Sequence, residues 1–183
     1  MRFKPVPEPP IDDDGIGAIA AVLEGVPRRP NAQSASGPVD CCARLVDRTS
    51  VADRERAADW LTFLRALGLV CETENGFVRG SDDLDPAAIR RSFRDRVSRA
   101  GAVLETLEAA PAPLDVAAAA DRSGTARARA GREDGRQGGE RGILDRDRGR
   151  ERTKRLLGWA VALDLADRVV EGETVRFDAA GPL

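Results

Sequence analysis

The stretch that decides the fold is ADRERAADWLTFLRALGLVCETENGFVR, residues 52–79. Its first part, from about 52 to 67, has apolar side chains at the spacing of one helix face, and Gly68 is placed to cap the helix C-terminus. Its second part has two short β-prone runs on either side of Asn75-Gly76, which is a strong β-hairpin signal. The sequence therefore predicts a helix followed directly by a hairpin.

Two shorter helices are predicted before this stretch. The first spans about 16–23 and follows three aspartates, Asp12 to Asp14, which suit a helix N-terminus as caps. A loop rich in Pro, Ser and Gly then leads to a second helix at about 40–47. Three helices followed by a hairpin is the order of a winged helix-turn-helix. Residues 14–80 are therefore interpreted as a first winged-helix-like module.

The second half of the chain repeats this pattern at a spacing of 96 residues. Arg54-Glu55-Arg56 recurs as Arg150-Glu151-Arg152, and Phe63 aligns with Trp159. The predicted elements of this half are a long helix at 86–109, the start of a helix at 114–121, a helix at 152–166 and a hairpin at 168–177. We predict a mainly α fold with short β-hairpins, built from tandem winged helix-turn-helix-like modules. The predicted parts are an extended, mostly solvated Pro-rich N-terminus at 1–13, a first module at 14–80 and a second module at 81–183.

The second module is interrupted by a charged segment at 122–150. Residues 122–155 hold 12 basic and 6 acidic side chains and seven glycines, and their only large apolar side chains are Ile143 and Leu144. This composition predicts an Arg/Gly-rich disordered insert. Two other interpretations stay open, namely a nucleic-acid-binding tail and a reading-frame slip in the coding sequence.

Composition excludes several classes of chemistry. The chain has no His, which removes Ser-His-Asp triads and His-ligated zinc sites. The odd set Cys41, Cys42 and Cys71 is not a disulfide framework, and we expect these thiols to be buried. No Walker A or GxSxG motif occurs, so we expect a non-enzymatic protein without a cofactor or metal. No apolar run is long enough to span a bilayer and no signal peptide is recognised, so we expect a cytoplasmic protein with no membrane partner.

Four segments carry a resemblance to a known family: MRFKPVPEPP (1–10), DCCARLV (40–46), DWLTFLRALGL (59–69) and RTKRLLGWAVALDLADR (152–168). In these segments the chain resembles a family of halophilic-archaeal proteins with winged-helix-like repeats. The resemblance covers about 1–121 and 150–177, and it implies a high-salt host without transferring any catalytic residue. Residues 122–150 depart from the family, which has aromatic and apolar positions there.

The fold order suggests double-stranded DNA as the partner, since the last helix of a helix-turn-helix enters the major groove. We therefore predict a DNA-binding transcriptional regulator. The alternative is a non-catalytic protein–protein interaction scaffold, because acidic side chains bring the charge of the helix starting near residue 52 close to zero. A third hypothesis, RNA binding through 122–150, depends on that segment. The candidate DNA-contacting residues are Arg54, Arg56, Arg65, Arg79, Arg150, Arg152, Lys154 and Arg155.

Overall fold

The first module consists of three helices and a hairpin, as the sequence predicts. The computed structural model describes residues 6–28, 40–74, 76–80, 83–128 and 140–181, and it describes the backbone alone at 125–128 and 140–145. The elements of this module are α1 (Gly15–Leu23), α2 (Cys41–Arg48), α3 (Arg54–Ala66), β1 (Val70–Thr73) and β2 (Gly76–Arg79).

Aspartates set the starts of these three helices. Asp14, Asp40 and Asp53 each precede a helix, and their side chains accept the backbone N–H of Gly17, Ala43 and Arg56 at 2.7, 3.0 and 2.8 Å. Each carboxylate satisfies one of the amide groups that a helix N-terminus leaves unpaired. The cap role expected for the early aspartates is thus confirmed at Asp14.

The hairpin β1–β2 is antiparallel, with Val70 opposite Arg79 and Thr73 opposite Gly76. Asn75 lies outside the described residues. The Arg79 amide donates to the Pro27 carbonyl at 2.8 Å, so the segment after α1 lies against β2. The Cys41 and Cys42 side chains are half-buried, and the Cys41 sulfur accepts the Phe77 amide at 3.2 Å. The expectation that all three thiols are buried is wrong for Cys71, which is exposed because that face of β1 is not covered.

The second module repeats this architecture with an additional helix at its start. Its elements are α4 (Pro86–Arg96), α5 (Ala100–Glu108), α6 (Val116–Ala128), α7 (Glu140–Ala162), β3 (Ala166–Glu171) and β4 (Thr174–Ala179). Between α5 and α6, Leu114 exchanges two backbone hydrogen bonds of 2.8 Å with Phe177 of β4. This isolated bridge lies between the first two repeated helices of the module, as Pro27 lies between α1 and α2 in the first module.

The predicted continuous helix over 86–109 is wrong, because the chain breaks between α4 and α5. Arg99 adopts the left-handed conformation with φ 73° at the start of α5. The Ser98 carbonyl accepts a hydrogen bond from Arg152 of α7 at 3.3 Å instead of continuing the helix. Gly101 permits the tight junction, since a Cβ at this position would lie 3.0 Å from the Arg94 carbonyl oxygen.

The prediction of a disordered insert is wrong for 122–128 and 140–150, which are helical. The remaining residues, 129–139, lie outside the described residues. No Pro occurs between 122 and 155, and Arg, Ala and Glu all favour helices. The contact between α6 and α7 supplies packing that composition alone does not reveal.

The Pro-rich N-terminal arm (6–10) packs on α7 instead of lying in solvent as expected. The Val6 side chain is 5% exposed, and the Pro7 carbonyl accepts the indole N–H of Trp159 at 2.8 Å. Pro9 lies directly over Gly158, where an added Cβ would come within 2.5 Å of the proline ring. Residues 1–5 lie outside the described residues. Gly158 therefore provides the flat surface on which the arm packs.

The internal repeat is visible in the backbone hydrogen bonds at the ends of α3 and α7. The Leu69 amide donates to Leu64 at 3.0 Å, and 96 residues later Leu165 donates to Ala160 at 2.8 Å. Both helices end in a Schellman motif with a left-handed residue, Gly68 at φ 80° and Asp164 at φ 55°. The predicted cap role of Gly68 is confirmed.

An aromatic cluster joins the two modules. Phe63 of α3 and Trp159 of α7 occupy equivalent positions in the repeat, and their ring centroids are 4.6 Å apart. Trp60 packs edge-on against Trp159 at 5.6 Å, and Phe93 of α4 packs edge-on against Phe63 at 6.4 Å. Small modules have small cores, so this shared cluster adds the apolar burial that neither module has alone.

We expect Gly68→Ala to lower the free energy of unfolding by about 1–2 kcal/mol, because the left-handed backbone places a Cβ near the carbonyl oxygen. The space around Gly68 is not limiting, since its nearest neighbour is the end of the Arg96 side chain. Gly149→Ala is the matched control: this helical glycine has no atom within 4 Å of an added Cβ. It is expected to stabilise by about 0.5–1 kcal/mol. Urea denaturation measures the change in the free energy of unfolding for both variants. Changes of the same sign would contradict the assignment of Gly68 as a left-handed helix cap.

We expect Trp159→Ala to lower the free energy of unfolding by about 3–5 kcal/mol, because the fully buried indole fills the junction of the two modules. Trp60→Ala should have a smaller effect, since Trp60 is half-exposed. Urea denaturation followed by far-ultraviolet circular dichroism compares the two variants. A loss at Trp60 as large as the loss at Trp159 would show that the cluster is not centred on Trp159.

Candidate nucleic-acid interface

The candidate arginines of α3 each lie beside a carboxylate of the same module. Arg54 contacts Asp40 at 2.5 Å and Arg56 contacts Asp53 at 3.6 Å, while Arg65 pairs with Glu72 of β1. These pairs are exposed and contribute little to stability. They do set the local charge: residues 53–66 carry three basic and three acidic side chains. The exposed surface of α3 is therefore close to neutral.

The negative charge of the Asp40 carboxylate has two partners within the first module. The Ala43 amide, and then the Arg54 guanidinium, hold the pKa of the Asp40 carboxyl below its usual range. The carboxyl is therefore ionised over the neutral pH range, as both the cap of α2 and the ion-pair partner of Arg54 require.

Arg79, the candidate DNA-contacting residue of the first hairpin, is turned toward its own module. Its guanidinium donates from Nε to the Val26 carbonyl at 3.0 Å. Together with the bond from its amide to Pro27, this contact fastens β2 to the segment after α1. Its position indicates a structural role for this side chain.

Helix α7 has two halves with opposite surroundings. All five residues from Leu156 to Ala160 are buried, so this half is enclosed by apolar neighbours and cannot enter a groove of DNA. The preceding part, residues 146–155, carries six basic and two acidic side chains. With 23 residues, α7 is about 34 Å long, which lets its N-terminal half extend past the aromatic cluster.

The four candidate residues on α7 divide into two pairs. Arg152 and Arg155 point inward: Arg155 donates to the Val6 carbonyl at 3.1 Å, lies 3.3 Å from Glu151 and 3.6 Å from Glu8, and Arg152 donates to Ser98. Arg150 and Lys154 are exposed, and within the described part of the chain neither forms an ion pair. Positions 150 and 154 are one helical turn apart, so these two cations lie on one face.

The cleft beside α7 contains arginines that sequence reasoning did not select. Arg99, from the junction of α4 and α5, and Arg148 of α7 line this cleft together with Trp60. The broken helix at Val97–Arg99 brings Arg99 there. The signal for this break was Gly101 within an otherwise regular apolar pattern.

A comparison with known protein families identifies the family of this chain. The family profile described as Halobacterial double winged helix domain matches residues 1–179. The chain belongs to this family. Neither a search of curated proteins nor a search of solved structures finds a match. The predicted mainly α fold with short β-hairpins in two winged-helix modules is thereby confirmed, and so is the coarser part of the resemblance, a halophilic-archaeal winged-helix family.

The second wing of this double winged helix protein, the hairpin β3–β4, lacks the net positive charge that suits phosphate binding. Residues 166–179 carry two basic and four acidic side chains. Arg176 pairs with Glu171 at 3.0 Å, and Arg168 pairs with Asp13 at 2.9 Å. This hairpin therefore offers little free positive charge to a phosphate backbone. None of the helices within the described ranges could cross a bilayer.

Proposed function

We propose that this double winged helix protein is a DNA-binding transcriptional regulator that contacts duplex DNA through the exposed N-terminal half of α7. The observation that supports the proposal most is that Arg150 and Lys154 are exposed on one face of a basic segment, residues 146–155. Cationic side chains on a helix in the major groove position it through phosphate contacts.

The two modules then contribute differently. The near-neutral α3 packs its aromatic face against α7, so the first module acts as the support of the second. Arg152 and Arg155 hold α7 to Ser98 and to the N-terminal arm, and their contribution to DNA binding is indirect. Winged helices commonly bind DNA, but fold alone does not assign that activity, so the charge distribution carries the argument.

The test is fluorescence anisotropy of a labelled duplex of generic sequence, titrated from molar salt downward. Circular dichroism at each salt concentration confirms that the chain is folded. We expect the logarithm of the affinity to fall linearly with the logarithm of the salt concentration, with a slope of about 0.9 per phosphate contacted. Absence of binding at every salt concentration where the fold persists would refute the proposal.

The double variant Arg150→Gln/Lys154→Gln should bind more weakly, and its salt slope should be smaller by about 2, because two phosphate contacts are lost. The matched control is Arg54→Gln/Arg56→Gln, which removes the same charge from α3. This control should retain both the affinity and the slope. An equal loss in the two variants would show that binding follows the overall charge and not the α7 face.

A second candidate function, a protein-interaction scaffold, is favoured by the second wing. Val170 and Val175 lie opposite each other in the β3–β4 register, and their side chains are 64% and 42% exposed. An exposed apolar pair on an acidic hairpin suits contact with another protein better than contact with phosphate. If duplex DNA does not bind, sedimentation velocity of the wild-type chain and of Val170→Thr/Val175→Thr tests self-association through this pair.

A further inference from the structure

We infer that the cleft between the two modules is a binding site for a small organic anion with a flat apolar body. The cleft has a volume of about 1090 Å³, of the size that ligand pockets in proteins have. Its lining comes from the N-terminal arm, α1, the start of α3, the junction at Arg99 and residues 148–155 of α7. The cleft includes Arg148, Arg152 and Arg155 of the segment 146–155, but not Arg150 and Lys154, which the proposed DNA contact uses.

The cleft is lined by five basic and five acidic side chains, so its formal charge is zero, but four of the five carboxylates already have polar partners. Glu8 and Glu151 both contact Arg155, and the Asp53 carboxylate caps α3 and contacts Arg56. Asp59 also has a polar partner. The last lining carboxylate, Glu55, is exposed in the first turn of α3.

Arg99 and Arg148, in contrast, form no ion pair with any described residue. The two arginines come from different elements, and both line the cleft. A guanidinium without a carboxylate partner is suited to bind an anionic group through charge-assisted hydrogen bonds.

The position of Arg99 is built into the fold. The residue has φ 73°, a conformation that is uncommon for a residue with a side chain. Its guanidinium passes beside Gly124 of α6, where an added Cβ would lie 3.9 Å from Nη2. The adjacent Ser98 carbonyl is held by Arg152, so the junction that carries Arg99 is docked on α7. A left-handed arginine held at the edge of a cleft is the kind of local strain found at ligand sites.

The remaining lining explains why the ligand needs an apolar body. Val6, Pro7, Val22 and Val51 contribute apolar surface, and Trp60 presents a half-exposed indole to the cleft. A flat ring can stack on an indole face while its anionic group reaches the guanidinium groups. The face with Arg148 lies about 200° around α7 from Arg150, so occupancy of the cleft does not cover the outer face.

The probe for this site is 8-anilinonaphthalene-1-sulfonate, a flat apolar anion whose fluorescence rises on binding. At the lowest salt concentration that preserves the fold, we expect saturable binding with one probe per chain and quenching of the Trp60 emission. N-phenyl-1-naphthylamine, which has the same rings without the sulfonate, should bind at least tenfold more weakly. Equal binding of the two probes, or no saturable binding of the anion, would overturn the inference.

Substitutions at Arg99 and Arg148 test whether the probe binds in the cleft. Arg99→Gln/Arg148→Gln should weaken binding of the anionic probe at least tenfold, and the single variant Arg148→Gln covers the case in which a change at Arg99 disturbs the helix junction. The matched control is Arg150→Gln/Lys154→Gln, which removes the same charge from the outer face and should leave the affinity within twofold. An equal effect of the control would show general charge attraction and would refute the site. The proposed DNA binding is measured separately, so either proposal can fail without the other.

Discussion

The contact between Phe63 and Trp159 is the constraint on which the rest of the structure depends. The two rings occupy equivalent positions of an internal repeat and pack on each other, so the modules associate through the same face of corresponding helices. This arrangement resembles the self-complementary interface of a two-fold dimer, here within one chain. It buries Phe63 of α3 and Trp159 of α7, and these two helices correspond to the one that a winged helix generally presents to DNA.

Helix α7 is long enough to be buried in one part and exposed in another. Residues 156–160 of this helix are buried, whereas residues 146–155, which precede them, carry a net positive charge and include exposed side chains. In contrast, α3 is short, near-neutral and used mainly for packing. The two halves of the repeat therefore differ: the proposed DNA-binding face lies on α7, whereas α3 is near-neutral and packs against it.

Local signals in the sequence were sufficient for the helices of the first module, the two hairpins and the repeat, since aspartate caps, Gly68 and apolar spacing act within a few residues. Features that depend on distant contacts were not predictable in this way. The helix break at Arg99 is stabilised by Arg152, the N-terminal arm is ordered by Trp159, and the helical parts of 122–150 are supported by packing between α6 and α7. Among the candidate residues, composition alone could not separate Arg150 and Lys154 from Arg152 and Arg155, because only the packed structure defines which face of α7 is exposed.

The bond between the Pro7 carbonyl and the Trp159 indole also has a consequence for the order of folding. Its two residues are 152 positions apart in the chain. During synthesis on the ribosome, residues 6–10 emerge long before the helix on which they pack, whereas the hairpin β1–β2 closes over a few residues. Contacts of such large sequence separation carry the entropy cost of closing a long loop and form late. The first module therefore completes its local structure while its N-terminal arm is still undocked, and the arm closes the molecule only after α7 has been made.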